Sequence, residues 1–183
     1  MLLALGANLA SNVGSPSETL KSALCALEKK GGAIRNISPF YSTPAYPAGN
    51  GPDYVNAAAE ICAEWSARET LAIFHEIEAE MGRERVQRWG QRTLDLDLLA
   101  IGDVVLPDAQ THATWRNLAP EDQIRRTPDQ LILPHPRLQD RAFVLVPLAD
   151  VAPNWVHPVL NRTVVQMRDA LPSGDVVAVK LLQ

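Results

Sequence analysis

Short apolar runs alternate with longer amphipathic stretches along this chain, and their two periods separate strand from helix. Residues 2–5 form an unbroken apolar run that predicts a short buried strand, leading into a turn at Gly6-Ala7-Asn8. Pro16 and Ser17 open a helix, because Leu20, Ala23, Leu24 and Leu27 fall at i, i+3, i+4 and i+7, and Gly31 stops it. Residues 34–41 predict a second strand, and the three prolines and two glycines of residues 42–52 a loop. Residues 54–65 read as a third strand. Ser66-Ala67-Arg68-Glu69 is a capping box that starts a second helix, with Leu71, Phe74, Ile77 and Met81 inward and Gly82 as its stop. Residues 83–92 are charged and predict an exposed loop, and residues 94–101 a fourth strand.

Residues 103–130 are polar and lack a clear period, which predicts an extended loop. The apolar run 143–148 begins a compact closing section. Asn161 is a candidate cap for a last helix reaching Leu171, and residues 176–181 are a candidate edge strand. The order is β-α-β-β-α-β followed by additional C-terminal elements, an α+β pattern of the ferredoxin-like kind. No repeat or linker divides the chain, so residues 1–183 are expected to form one domain with the extended loop at about 103–130.

Composition narrows the function classes. A net charge of -4 leaves no basic face for nucleic acid, so an anionic ligand must be met by local arginines. No apolar run approaches the ~20 residues that span a bilayer, and the apolar start at residues 1–6 is too short for a signal peptide. Cys25 and Cys62 sit in apolar, regular segments without metal-ligand spacing, which predicts buried reduced thiols and a cytoplasmic protein. Nothing points to an obligate protein partner.

The sharpest chemical feature is Arg92-Thr93-Leu94-Asp95-Leu96-Asp97-Leu98-Leu99. On a strand Asp95 and Asp97 share one face while Leu94, Leu96 and Leu98 face the core. Carboxylate roots ~6.6 Å apart can converge on a pair of hard cations. The alternative is a solvated strand face carrying two charges. Just upstream lie Arg83, Arg85, Arg88 and Arg92, with Trp89 among them. Guanidinium groups bind phosphate in bidentate fashion, so beside paired aspartates this cluster reads as a polyphosphate site; alone it would be a charged surface. There is no GxxxxGK[ST], which excludes a P-loop enzyme. Leu133-Pro134-His135-Pro136 presents a rigid histidine, while His112 and His157 show no site around them. Two rivals stay open: a metal-dependent nucleotide-sugar enzyme using an Asp-x-Asp motif, and a non-catalytic binding module.

Several segments together resemble one family, 6-hydroxymethyl-7,8-dihydropterin pyrophosphokinase. They are Leu5-Gly6-Ala7-Asn8-Leu9, Phe40-Tyr41-Ser42-Thr43-Pro44, Pro52-Asp53-Tyr54-Val55-Asn56-Ala57, Ile77-Glu78 through Gly82-Arg83, Arg88-Trp89-Gly90-Gln91-Arg92-Thr93-Leu94-Asp95-Leu96-Asp97, and Pro134-His135 to Arg141-Ala142-Phe143. They run in the family's order from residue 2 to about 153. The resemblance implies a ferredoxin-like fold and transfer of the β,γ-diphosphate of ATP to the pterin hydroxymethyl oxygen, leaving AMP. It implies that Asp95 and Asp97 bind two Mg²⁺ and that Arg83 and Arg92 stabilise charge at the phosphates, Arg83 on a mobile loop. It places Leu71, His75, Glu78, Arg85, Trp89, Arg92, Leu98, Ile132, His135 and Arg141 around the nucleotide. It places Thr43, Pro44, Tyr46, Tyr54, Asn56, Asp95 and Phe143 around the pterin, with Tyr54 and Phe143 suited to sandwich a flat ring. His75 stands where a glutamine is common, and Gln130 where an arginine is expected.

Overall fold

The computed structural model describes residues 1–45, 51–83 and 92–182. Its strands are β1 (Leu2–Ala7), β2 (Ala33–Ile37), β3 (Tyr41–Thr43), β4 (Tyr54–Cys62), β5 (Asp95–Ala100) and β6 (Lys180–Leu181). Its helices are α1 (Pro16–Lys29), α2 (Ala67–Glu80), α3 (Ala109–Arg116), α4 (Pro120–Arg125), α5 (Ala142–Val151), α6 (Val164–Asp169) and α7 (Ser173–Val177). The pairings are antiparallel, in the order β5-β1-β4-β3-β6, with β2 also on β4.

Every residue of β1 is buried because helices cover both faces of the sheet, which explains its unbroken apolar run. On one face Leu3, Leu5, Leu96 and Leu98 pack with Leu20 and Leu27 of α1 and Phe74 and Ile77 of α2. On the other, Leu2, Ala4 and Ala58 pack with Val144, Leu145 and Leu148 of α5 and Val164 of α6. Both large helices start on capping boxes, Ser15 with Glu18 and Ser66 with Glu69. Gly82, at φ 76°, ends α2 and turns the chain toward Arg83.

The expected second strand is in fact two. Ser38-Pro39-Phe40 interrupts it, since Pro39 has no N–H for the ladder, and the Ser38 hydroxyl accepts the Ala58 N–H at 3.0 Å instead. The third strand stops at Cys62. The segment 103–130 is not an extended loop: it carries α3 and α4. Asp108 caps α3 by accepting the Thr111 N–H at 2.8 Å, and the only buried residue of α3 is His112, so it shows no apolar period. The last long helix shrinks to α6, capped by Thr163, while Asn161 adopts φ 51° before it. Most of residues 176–181 is not strand; only Lys180–Leu181 pairs, with β3. Both cysteines are exposed rather than buried: Cys25 lies on the outward side of α1, and Cys62 alternates outward after buried Ile61. Among the described residues no helix is long and apolar enough to cross a membrane.

Candidate functional site

The register fixes the site. Gly6 of β1 pairs with Asn56 of β4 and with Asp95 of β5, and Ala4 pairs with Ala58 and Asp97. Paired residues share a face, so two rows, Asn56–Gly6–Asp95 and Ala58–Ala4–Asp97, cross the α5 side of the sheet. The aspartates therefore lie together, as their spacing requires, while Leu94, Leu96 and Leu98 are buried on the other side. A Cβ at Gly6 would stand 2.9 Å from Asn56 Oδ1, so only glycine gives that amide its room. Buried Asn56 donates from Nδ2 to Thr43 Oγ1 at 2.7 Å, which fixes the amide's orientation.

Arginines close over Asp95. Arg83 Nη1 stands 2.9 Å from Asp95 Oδ1, and Arg92 Nη1 pairs with Oδ2. Arg83 also pairs with Glu78, a buried residue of α2 whose Oε1 accepts the Leu96 N–H at 2.9 Å. Glu78 thereby ties α2 to β5 and aims Arg83. The backbone of Arg92 is held by buried Asn8, whose Oδ1 accepts the Arg92 N–H at 2.9 Å while the Arg92 carbonyl accepts from Asn8 N at 3.0 Å. Asn8 Nδ2 donates to the Pro52 carbonyl at 3.2 Å. Sequence reasoning gave neither Gly6 nor Asn8 a site role; the available signal was a glycine inside an apolar strand run, which marks a close approach.

Burial and the nearby Asp97 charge raise the Asp95 pKa above the ordinary carboxylate value, against the pull of Arg92 and Arg83. Burial works against the Arg92 charge, but Asp95 outweighs it and holds the guanidinium pKa up. Arg141, at the start of α5, stands 3.9 Å from Asp97, and its guanidinium carbon lies 5.6 Å from the centre of the exposed Phe143 ring. Burial lowers the Arg141 pKa while Asp97 supports its charge. The half-buried Tyr54 hydroxyl is raised by burial, with Arg92 opposing.

Beside this corner is a cavity of about 280 Å³ over the outer edge of β5. Leu71, His75 and Glu78 of α2 line one side, Ile132 and His135 another, and Leu98, Asp95, Asp97, Arg83 and Arg92 the floor and mouth. Residues expected around a nucleotide from three separate stretches of sequence thus meet in one cleft. His135 Nδ1 accepts the Arg137 N–H at 3.2 Å, so its proton sits on Nε2. Burial, with Arg141 and Arg137, pushes its pKa down to about 3, leaving a neutral ring with one N–H to offer. Thr43, Tyr54, Asn56 and Phe143 belong to the α5 side instead, and Pro44 is exposed next to Thr43. Tyr46, Arg85 and Trp89, and the expected loop after Arg83, lie outside the described residues.

Paired carboxylates flanked by Arg83, Arg92 and Arg141, on an antiparallel sheet beside a cleft, are the equipment of a group-transfer enzyme that handles polyphosphate. Residues 2–153 match the family model of 7,8-dihydro-6-hydroxymethylpterin-pyrophosphokinase, and the chain belongs to that family. It is 38% identical over 152 residues to the 2-amino-4-hydroxy-6-hydroxymethyldihydropteridine pyrophosphokinase of Pseudomonas aeruginosa, covering 82% of this chain and 81% of that one. The Haemophilus influenzae protein of the same name is 33% identical over 165 residues, 88% of this chain and 91% of its own. Among solved structures, Plasmodium falciparum HPPK-DHPS superposes with a TM-score of 0.61 at 18% identity, over 92% of this chain and 42% of that one. That likeness speaks to the fold alone, and this chain spans less than half of the larger protein.

Proposed function

We propose that this chain transfers the β,γ-diphosphate of ATP to the hydroxymethyl oxygen of 6-hydroxymethyl-7,8-dihydropterin, giving AMP and the pterin diphosphate in tetrahydrofolate biosynthesis. The observation that carries the reading is the row Asn56–Gly6–Asp95, which puts a fixed amide and a carboxylate on either side of a residue with no side chain. A pterin edge carries both donors and acceptors, and an amide reads both. Tyr54 and Phe143 supply ring faces for it. The cavity of Leu71, His75, Leu98, Ile132 and His135 takes the nucleotide. Its triphosphate then runs across the mouth, past Arg83, Arg92 and Arg141. The pterin oxygen forms its bond to the β-phosphorus as the bond from that phosphorus to the α,β-bridging oxygen breaks; AMP leaves and the hydroxyl proton is released to solvent. Arg83 and Arg92 hold the charge that spreads over the phosphoryl oxygens. We assign no general base.

The residues fit Mg²⁺. Asp95 and Asp97 offer hard oxygen donors, and among the described residues no group of three or more acidic, histidine or cysteine side chains adds to them. One or two carboxylates completed by phosphate oxygens and water is the usual magnesium set. The Asp97 charge beside Asp95 is a repulsion that a cation held between the two would relieve. When bound, two such ions would neutralise the phosphate oxygens and lower the barrier to attack. We read the fold as ferredoxin-like, with β2 and β3 counted as one strand, and residues 1–183 as a single domain; the order β5-β1-β4-β3 supports this. The free, exposed thiols of Cys25 and Cys62 suit a reducing cytoplasm.

The test is a product assay with ATP, Mg²⁺ and 6-hydroxymethyl-7,8-dihydropterin. Pterin-dependent AMP, abolished by EDTA, is the expected result. ADP in its place would reject diphosphate transfer, and turnover indifferent to pterin would favour a different nucleotide enzyme.

A further inference from the structure

The segment that presents His135 is held by a device outside the site. Leu133 exchanges two backbone hydrogen bonds with Leu106, at 2.8 and 3.2 Å, and His135 donates from its backbone N to the Leu99 carbonyl at 2.8 Å. Between them, the Pro134 carbonyl meets His112 Nε2 at 3.0 Å. His112 comes from α3, in the 103–130 segment, and is fully buried. It packs edge to face on fully buried His157, with ring centres 5.8 Å apart at 61°. Trp155 packs against the far side of the pair, 5.6 Å from His157, and donates from Nε1 to the Gly102 carbonyl at 2.9 Å.

The hydrogen bonds fix both tautomers. Pro134 offers only an acceptor, so the His112 proton is on Nε2 and its Nδ1 is bare. His157 Nδ1 accepts from Val159 N and Leu160 N, both at 3.2 Å, so its proton is also on Nε2. His112 Nδ1 and His157 Nε2 are left over, with no hydrogen-bond partner among the described residues. One is an acceptor and the other an N–H, on touching rings. Buried polar atoms in this state call for an explanation beyond packing, because an apolar pair would fill the space without them.

We propose that His112 is a positioning residue for the nucleotide site: its N–H on the Pro134 carbonyl sets the peptide that carries His135. Rigid support of this kind sets how well a ligand-contacting group is placed. The proposal rests on His135 belonging to the nucleotide site. It is sharpened by two side chains that mimic different ring nitrogens. A glutamine amide at position 112 reaches where Nε2 stands and can donate to Pro134; an asparagine amide stands where Nδ1 was and cannot.

The experiment compares wild type, His112→Asn, His112→Gln and His157→Asn in steady-state assays against ATP and against pterin, with Tm measured alongside. His112→Asn should raise KM for ATP roughly tenfold and leave KM for pterin within about twofold. His112→Gln should recover most of that loss at a similar Tm, although both replacements remove the ring contact. His157→Asn keeps the acceptor for Val159 and Leu160, and its KM for ATP should stay within about twofold of wild type. This variant decides the matter if His112→Asn does not fold: a tenfold rise there assigns the effect to packing and overturns the proposal. Equal KM values for His112→Asn and His112→Gln, or an unchanged ATP KM with a lowered Tm, overturn it too. Wild type that neither binds nor turns over ATP removes the nucleotide reading itself, and this proposal with it.

Discussion

Two polar regions sit a short way apart in this fold and solve opposite problems. At the end of β5, Asp95, Arg83, Arg92 and Glu78 form a chain of ion pairs, each charge set against an opposite one. Under α3, His112 and His157 are kept neutral, their charged forms disfavoured by burial, with Arg116 on α3 acting in the same direction. Neutralising Asp97, next to these groups on β5, should remove activity with little effect on stability, because its nearest opposite charge, Arg141, is 3.9 Å away and it repels Asp95. Adding a charge in the second should remove stability, because its partners among the described residues are backbone groups and rings.

The largest effect is expected at Asp97. Asp97→Asn keeps the size of the side chain and deletes one of the two aspartate charges facing the same cleft. Loss of one group aimed at transition-state charge costs roughly 10²–10³ in kcat. Stability should change little, because relief of the repulsion on Asp95 offsets the loss of the Arg141 partner 3.9 Å away. Single-turnover rates and urea titrations on the same preparations check both halves. A variant that unfolds more easily, with activity per folded molecule preserved, would erase the contrast between the two regions.

The second effect concerns the neutral region and pH. Burial pushes His157 down to about 4, from an ordinary histidine value near 6.5. Between those values the unfolded chain binds a proton that the folded chain refuses, so stability rises with pH there. Stability is full above about 6.5 and is lost as pH falls toward 4. At pH 5 this one ring removes ~2 kcal/mol relative to pH 7.5. His112 and His135, also lowered, act in the same direction. Denaturant titrations at the two pH values measure it. His157→Asn should be less stable at pH 7.5 yet show a visibly smaller drop to pH 5. Equal drops in the two proteins would mean that His157 titrates as it does in water.

Much of the charged region was legible in sequence, and almost none of the neutral one. Asp95 and Asp97 announced themselves through a period of two inside an apolar strand, and Arg83 and Arg92 through their crowding just before it. α1, α2, β1 and β5 were legible because their apolar positions keep a clean period. Glu78 drew attention only through family resemblance, since a lone acid on an amphipathic helix looks like surface. α3 was missed because its one inward residue is a histidine, and a single polar residue makes no period. The split between β2 and β3 hid in Ser38-Pro39-Phe40, where a side chain replaces a ladder bond. Position, not residue type, sets the exposure of the cysteines: Cys25 and Cys62 stand on outward positions of elements whose other faces are buried. The row Asn56–Gly6–Asp95 depends on the register of three strands, which no local pattern encodes.

That row gives the smallest effect and the finest cut, because it divides the charged region into a pterin side and a nucleotide side. Gly6→Ala adds one methyl group 2.9 Å from Asn56 Oδ1. The backbone at Gly6 is not left-handed, so alanine is accepted there without strain and the cost is contact alone. Asn56 cannot yield easily: it is buried, and its amide nitrogen is held by Thr43 at 2.7 Å. The methyl group must therefore push the amide out of the orientation in which it meets the ring edge. A misplaced hydrogen-bonding group costs about 1.4 kcal/mol, or tenfold in affinity. KM for pterin should rise by roughly that factor. KM for ATP should hold within about twofold, because the nucleotide cleft lies over the outer edge of β5, away from the β1–β4 side where Asn56 stands. Measured separately, the two constants test the division directly. Equal rises in both would mean that Gly6 supports the Asp95 carboxylate rather than the Asn56 amide, and the pterin would then have to be moved off this row.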